Sequence, residues 1–228
     1  DAAVQGIREI LAIDANSPIP SEQIEVVKMG TTVATNALLE RKGSPTVLLI
    51  TKGFKDALRI GYQNRPDIFA RQIILPEMLY ERVIEVEERY SAQGEELIPV
   101  NIDSFRTQLQ AAYDSGIRSC AIVLMHGYRY REHEEKVAAV AREIGFPQIS
   151  VSHQVSPLMK LVSRGDTTVV DAYLSPILRQ YVNQIATQLT ANGNNYQLPI
   201  TNYQLPKLMF MQSNGGLTDA GNFQGKDS

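Results

Sequence analysis

Short apolar runs alternate with segments of helical period along most of this chain. Apolar runs of strand length occupy residues 24–29, 46–51, 119–125 and 148–152. Segments whose apolar residues recur three and four positions apart occupy residues 32–41, 103–112, 133–144 and 166–189. Parallel strands need a crossover helix between them, so this alternation predicts an α/β fold with a mostly parallel sheet.

The middle of the chain has a different pattern. Residues 82–90 alternate the apolar Ile84 and Val86 with charged side chains, which is typical of a half-solvated strand. A turn at Gly94 then leads towards a short partner strand at residues 96–100. We therefore expect a β-hairpin insertion, and we interpret most carboxylates of this region as its solvated face rather than as a metal site.

Two features interrupt the second half of the chain. Pro176 lies inside the helical segment 166–189 and is expected to kink or divide that helix. The pentapeptide NYQLP occurs at residues 195–199 and again at residues 202–206. A repeat this short cannot bury a core of its own, so we interpret residues 192–206 as a surface loop without a chemical role.

Composition and charge disfavour several classes of protein. The 228 residues are 43% hydrophobic, which suits a packed core, and 22 basic and 25 acidic residues give a formal net charge of −3. This balance argues against nucleic acid or a membrane surface as a partner. The apolar runs are too short to cross a bilayer. The single cysteine, Cys120, lies in an apolar run and allows no internal disulfide, which is typical of the cytoplasm.

The first candidate for chemistry follows the first predicted strand. Gly30 lets the backbone turn sharply, and a threonine hydroxyl at Thr31 or Thr32 can cap the helix that comes next. One threonine is enough for a cap, whereas this stretch offers two hydroxyls and the amide of Asn36. Ligands often bind where a strand of a parallel sheet leads into a helix. The residues alone leave both interpretations open, a helix cap or a site for a small polar ligand.

Other candidates are weaker. Arg65 and Arg164 each lie in a turn-like segment, where an exposed arginine is the default but a bidentate pair with a substrate carboxylate is the alternative. Asn214, Gly215 and Gly216 follow a predicted strand and could bring backbone amides close to a phosphate, although most glycine pairs are simply turns.

Three histidines and one aspartate carry less information. His126 ends a strand and is interpreted as an ordinary polar strand end, while His133 is interpreted as part of a helix start. The spacing of these two and His153 matches no zinc motif, so we expect no metal site there. Asp171 lies one residue off the apolar stripe of its helix and is interpreted as a surface residue.

The stretch GTTVATNALLERKG, residues 30–43, resembles the hallmark motif of the hydantoinase A/5-oxoprolinase family. The similarity covers essentially the whole chain apart from the repeat loop. It continues through shorter motifs at residues 51–54, 171–176 and 211–217, and is strongest towards single-chain 5-oxoprolinases at residues 123–126 and 163–171.

This resemblance implies a partial ATPase lobe of the kind found in actin and the sugar kinases. It implies ATP-dependent opening of 5-oxo-L-proline to L-glutamate, with ATP and Mg²⁺ as cofactors. The partners would be a small lactam and the rest of the same polypeptide, and a homo-oligomer stays open. Within this reading, our candidates for substrate binding are Thr31, Thr32, Asn36, Arg65 and Arg164, and our candidates for contacts near the nucleotide are Asn214, Gly215 and Gly216.

The sequence also departs from the family pattern. Family members carry one phosphate loop before the region matched here and a second one after it. We therefore expect residues 1–228 to form one N-terminal domain fragment that is inactive by itself. The alternatives are an ATP-dependent hydantoinase, an acetone-carboxylase-like subunit, or a non-catalytic interaction module with the same fold.

Overall fold

The computed structural model describes residues 2–14, 17, 19–20, 24–63, 67–189 and 206–227. The chain divides into two compact units. Residues 1–36 and 177–228 form one, called the terminal unit below, and residues 37–176 form the other, called the central unit.

The central unit is built on a four-stranded sheet. Its strands are β2 (Thr46–Thr51), β3 (Arg82–Val86), β6 (Ser119–Val123) and β7 (Gln148–Val151). The spatial order is β3-β2-β6-β7 and every neighbouring pair is parallel. The helices of this unit include α3 (Ala57–Ile60), α4 (Asp103–Asp114), α5 (Glu132–Ile144) and α6 (Ser152–Val155). The predicted α/β fold with a mostly parallel sheet is confirmed.

Strand β2 is buried on both faces and separates two apolar cores. Val47 and Leu49 face a core that includes Phe105 of α4 and Val137 of α5. Leu48 and Ile50 face the opposite core, where residues of α3 and of the long helix α7 (Leu161–Leu189) pack. Successive side chains of a strand point to opposite faces, so an unbroken apolar run is what a doubly covered strand requires.

The predicted hairpin insertion is present as a two-stranded antiparallel sheet. Strand β4 (Arg89–Tyr90) pairs with β5 (Glu96–Ile98), and Gly94 lies in the connecting turn. The expected strand at 82–90 is therefore two strands, β3 and β4. Ile84 and Val86 are buried, as the alternation predicts.

The terminal unit contains a three-stranded sheet of order β1-β8-β9. Strands β1 (Val26–Met29) and β8 (Lys207–Met211) are parallel, and β9 (Leu217–Asp219) is antiparallel to β8. Helix α1 (Ala2–Ile10) and the end of α7 share a core in which Val4, Ile185 and Leu189 are buried. Short 3₁₀ helices follow β9 at Ala220–Asn222 and Gly225–Asp227.

Helix α2 (Val33–Leu39) begins in the terminal unit and ends in the central unit, as the division at residue 36 requires. Of the two effects expected of Pro176, a kink or a division of its helix, the division is wrong, because α7 continues through this residue. The NYQLP repeat lies outside the described residues except for its last position. Within the described ranges, no helix combines the length and apolarity needed for a membrane crossing.

Candidate functional site

Two groups of predicted site residues lie at the same edge of the terminal unit. Strands β1 and β8 are parallel and Met29 pairs with Phe210, so both strands end at this edge. Gly30 continues from β1, and a Cβ added to it would lie 3.6 Å from Cε of Met211. The structure therefore places the segment that starts at Gly30 beside the turn that follows β8.

Thr31 has the geometry of a cap. Its Oγ1 accepts a hydrogen bond from the amide of Val33 at 3.2 Å, at the first residue of α2. The backbone amide of Asn36 donates to the backbone carbonyl of Thr32 at 2.8 Å and closes the first helical turn. Thr31 is half-buried, whereas the side chains of Thr32 and Asn36 are exposed. Capping therefore explains one threonine, and the exposed hydroxyl and amide remain candidates for ligand contacts.

The turn after β8 joins two strands of a hairpin. The amide of Gly215 donates to the carbonyl of Gln212 at 2.9 Å, and the amide of Gly216 donates to Oδ1 of Asn214 at 2.7 Å. Gly215 has a φ of +84°, which favours glycine. Both glycine amides donate hydrogen bonds within the turn, so they are not available to bind a phosphate. The cofactor role of Asn214, Gly215 and Gly216 stays a prediction, and a nucleotide would have to use other atoms there.

A second set of polar residues converges at the strand ends of the central unit. Thr51 ends β2, and its Oγ1 donates to Glu88 while accepting the amide of Met125 at 2.7 Å. Glu88 also contacts Nδ1 of His133 at 2.7 Å, and Nε2 of His133 contacts Glu96 at 2.8 Å. Glu88 is 2% exposed and His133 is 1% exposed. The contact with His133 lowers the pKa of the Glu96 carboxyl.

Glu134 is the centre of a second cluster of buried hydrogen bonds at the same strand ends. The cluster around Glu88 and the cluster around Glu134 are together called the buried network below. Its carboxylate accepts the amide of Leu124 at 2.9 Å, the hydroxyl of Ser152 and the amide of His153, and it contacts Nδ1 of His153 at 2.7 Å. Gly127 is required beside it, because an added Cβ would lie 2.5 Å from Oε1 of Glu134. A buried carboxylate is tolerated only when it is fully hydrogen-bonded, and Glu134 meets that condition.

Arg164 is buried, which corrects the expectation of an exposed arginine. Its Nε donates to Oγ of Ser152 at 2.9 Å, and its Nη2 donates to the carbonyl of Leu124 at 2.6 Å. Its Nη1 donates to the carbonyls of Leu158 and Met159. These contacts give Arg164 a structural role, and its contact with a substrate carboxylate stays a prediction. Arg65, the other predicted arginine, lies outside the described residues.

Sequence reasoning missed this network. Alternation predicts that most carboxylates of residues 81–96 lie on a solvated face, and Asp171 is predicted at the surface, but Glu88 and Asp171 are both buried. Asp171 accepts a hydrogen bond from Ser150 at 2.7 Å. The burial of Glu88 could have been predicted from the sequence. Glu88 follows Ile84 and Val86 in the same alternation, which places all three on the same, buried face. We find no comparable local signal for Arg164, whose partners come from distant segments.

The central unit also contains a cavity of about 740 Å³. Residues from the segments 58–63 and 67–78 and from the first turns of α7 line it, and more than half of the lining residues are apolar. At its border the hydroxyl of Tyr62 lies 2.6 Å from Oγ of Ser163. Partial burial raises the pKa of the Asp166 carboxyl, which faces this cavity. An apolar wall suits an apolar group better than a small anionic ring.

The sequence matches two family descriptions. Residues 1–145 match "Hydantoinase/oxoprolinase N-terminal region", and residues 164–228 match "Hydantoinase/oxoprolinase". Together these two ranges cover most of the chain.

Named relatives extend the similarity. The chain is 40% identical to 5-oxoprolinase 1 of Arabidopsis thaliana, over 99% of this chain and 19% of the relative. It is 36% identical to 5-oxoprolinase of Saccharomyces cerevisiae, over 100% of this chain and 19% of the relative. The chain therefore spans about a fifth of the length of these relatives.

Solved structures share its fold. The crystal structure of the ATP-dependent caprolactamase from Pseudomonas jessenii matches with a TM-score of 0.76 and 25% identity, over 98% of this chain and 32% of that chain. A nucleotide-free acetone carboxylase matches with a TM-score of 0.69 and 20% identity, over 91% of this chain and 29% of that chain. The predicted fold class, a partial actin-like lobe, is confirmed.

Proposed function

Because the chain belongs to the hydantoinase/oxoprolinase family, we propose that the longer protein containing it is an ATP-dependent lactam hydrolase. Its substrate is 5-oxo-L-proline, which it opens to L-glutamate with release of ADP and phosphate. The names of the 5-oxoprolinase relatives support this substrate, and the caprolactamase supports the wider class of cyclic amides.

The observation that carries the proposal within this chain is the strand-end edge of the terminal unit. The hydroxyl of Thr32, directly before α2, and the side-chain amide of Asn36, in the first turn of α2, are exposed there about one helical turn apart. A lactam offers a carbonyl acceptor and an N–H donor, and a hydroxyl or an amide side chain can pair with either. These two side chains would orient the ring.

We assign ATP and Mg²⁺ to the longer protein. An amide resists attack by water, and ATP supplies the activation that ring opening requires. The glycine amides of the 212–216 turn are used internally, so no step with the nucleotide is assigned to this chain.

The test measures ADP release by the full-length protein with and without 5-oxo-L-proline. The Thr32→Ala/Asn36→Ala double variant is expected to lower kcat/KM about tenfold or more, because two substrate hydrogen bonds are lost. Its stability should stay within about 0.5 kcal/mol of wild type, since both side chains are exposed. Thr35→Ala, also exposed on α2, is the matched control and should leave both values unchanged.

A third variant tests the role of Thr31 as a helix cap separately from the ligand site. Thr31→Ala should cost about 1 kcal/mol of stability, because it removes the cap on the Val33 amide. If the double variant keeps the wild-type rate, the site assignment is wrong. If 5-oxo-L-proline does not stimulate the wild type, the substrate assignment is wrong, and hydantoins and caprolactam become the next substrates to measure.

A further inference from the structure

The cavity of the central unit has the size of a small-molecule site. Its volume of about 740 Å³ lies within the range of about 300–1,000 Å³ that is typical of ligand pockets. All of its lining residues belong to the central unit. Thr32 and Asn36 belong to the terminal unit, so the proposed lactam contacts assign no ligand to this cavity.

A close approach of α3 to α7 places two charged residues in the lining. An added Cβ on Gly165 would lie 2.8 Å from Cδ1 of Leu58, so the approach requires the glycine. Arg59 directly follows Leu58, and Asp166 directly follows Gly165. Both of these charged residues line the cavity. The packing of the two helices thus brings a cation and a carboxylate to one site.

Arg59 and Asp166 carry opposite charges but do not pair with each other. Within the described part of the chain, neither side chain forms a hydrogen bond or an ion pair, and both residues are exposed. Burial is the main cause that raises the pKa of Tyr80, while Arg59 lowers it and Asp166 raises it, so both charges lie near this hydroxyl. Asp67, the third charged residue of the lining, already accepts the amide of Phe69 at 2.9 Å.

The lining also contains aliphatic side chains that are in contact with water. Ile60, Ile73, Ile74 and Leu75 are between 43% and 83% exposed. A concentration of exposed apolar surface marks a binding site, because a ligand that covers this surface removes it from water. The ligand that fits this cavity therefore has aliphatic groups as well as charges.

A zwitterion matches the two unpaired charges. The guanidinium of Arg59 can donate two parallel hydrogen bonds to a carboxylate, and the carboxylate of Asp166 can accept hydrogen bonds from an ammonium group. An ammonium group there would also offset the partial burial that raises the pKa of the Asp166 carboxyl. Amino acids and short peptides combine both charges with aliphatic side chains in one molecule.

We propose that the cavity binds an aliphatic zwitterion, a free amino acid or a short peptide. Its carboxylate pairs with Arg59, its ammonium group pairs with Asp166, and its side chains cover Ile73 and Ile74. This site is additional to the proposed lactam site, and its occupation does not depend on lactam hydrolysis.

The test measures binding to the full-length protein by isothermal titration calorimetry without ATP. The probes are leucine and the dipeptide leucyl-leucine, and saturable binding is expected. The probe with the lower Kd identifies the ligand as an amino acid or as a peptide. N-acetylleucine lacks the ammonium group and leucine amide lacks the carboxylate, so each should bind about tenfold or more weakly than leucine.

Two variants remove the charges of the cavity one at a time. Asp166→Asn should weaken leucine binding about tenfold or more and leave N-acetylleucine binding unchanged, because only leucine has an ammonium group. Arg59→Gln should weaken leucine binding to a similar extent and leave leucine amide binding unchanged. Asp103→Asn, the same chemical change at an exposed carboxylate of α4, is the matched control and should leave every Kd unchanged.

The proposal is overturned if neither leucine nor leucyl-leucine binds the wild type, or if both charge variants bind leucine as tightly as the wild type does. Competition separates this proposal from the lactam site. We expect 5-oxo-L-proline not to displace leucine, and displacement would overturn a separate site. A wild type that binds leucine but releases no additional ADP with 5-oxo-L-proline would overturn the proposed substrate alone.

Discussion

The two strand-end edges of this chain are built in different ways. At the edge of the terminal unit, an exposed hydroxyl and an exposed amide follow a glycine, and the nearby turn is held by its own backbone. At the edge of the central unit, Glu88, Glu134 and Arg164 are almost fully buried. Glu88 contacts the side chains of Thr51 and His133. Glu134 and Arg164 both bind the hydroxyl of Ser152 and the backbone of Leu124.

This difference predicts different responses to mutation. Buried polar groups cost free energy unless each is paired, so losing one partner in the central unit leaves others unsatisfied. Exposed groups in the terminal unit are replaced by water when they are removed. Substitutions at the edge of the terminal unit should change ligand binding while leaving stability nearly unchanged. Substitutions in the buried network should change stability while leaving ligand binding nearly unchanged.

The largest effect is expected for Glu134→Ala. The change removes a buried carboxylate that accepts bonds from Leu124, Ser152 and His153, and it should lower the free energy of unfolding by about 3–5 kcal/mol. Urea unfolding measures the loss. Glu135→Ala, the exposed neighbour on α5, should change it by less than about 0.5 kcal/mol. Equal losses in the two variants would show that the network does not stabilise the central unit.

Two glycine-to-alanine substitutions, one in each unit, should change the free energy of unfolding in opposite directions. Gly127→Ala places a Cβ 2.5 Å from Oε1 of Glu134 and should cost about 1–3 kcal/mol. Gly6→Ala lies inside α1 with no atom within 4 Å of the new Cβ, and should stabilise by about 0.5–1 kcal/mol. Thermal unfolding of both variants checks the signs. A stabilised Gly127→Ala would contradict the close approach to Glu134.

The smallest effect concerns pH. The hydrogen bond with His133 is the main cause that lowers the pKa of Glu96, so this contact stabilises the fold above the ordinary carboxyl pKa. That stabilisation is lost as pH falls through the lowered pKa. Glu96→Gln should therefore reduce the difference in unfolding midpoint between pH 7 and pH 3.

The control for this prediction is Glu95→Gln, which removes an exposed carboxylate from the same hairpin. If Glu95→Gln and Glu96→Gln alter the pH dependence equally, the contact of Glu96 with His133 contributes nothing specific.

Much of the fold could be predicted from local pattern. The unbroken apolar run at β2 predicts a doubly covered strand, and the alternation at Ile84 and Val86 predicts the hairpin region, because strand period and burial are properties of neighbouring residues. Strand β3 ends earlier than alternation indicates, since the chain leaves the sheet after Val86. The cap at Thr31 could be predicted, while the ligand role of Thr32 and Asn36 stays a prediction.

The sequence by itself determined the order and type of most elements, the parallel character of the central sheet and the family motif at residues 30–43. Only the tertiary structure decided which charged residues are buried. Thr51, Glu88, Glu134 and Arg164 are distant along the chain, and they meet because parallel strands bring their ends to one edge. Burial of a charge depends on partners supplied by other segments, and no local pattern contains that information.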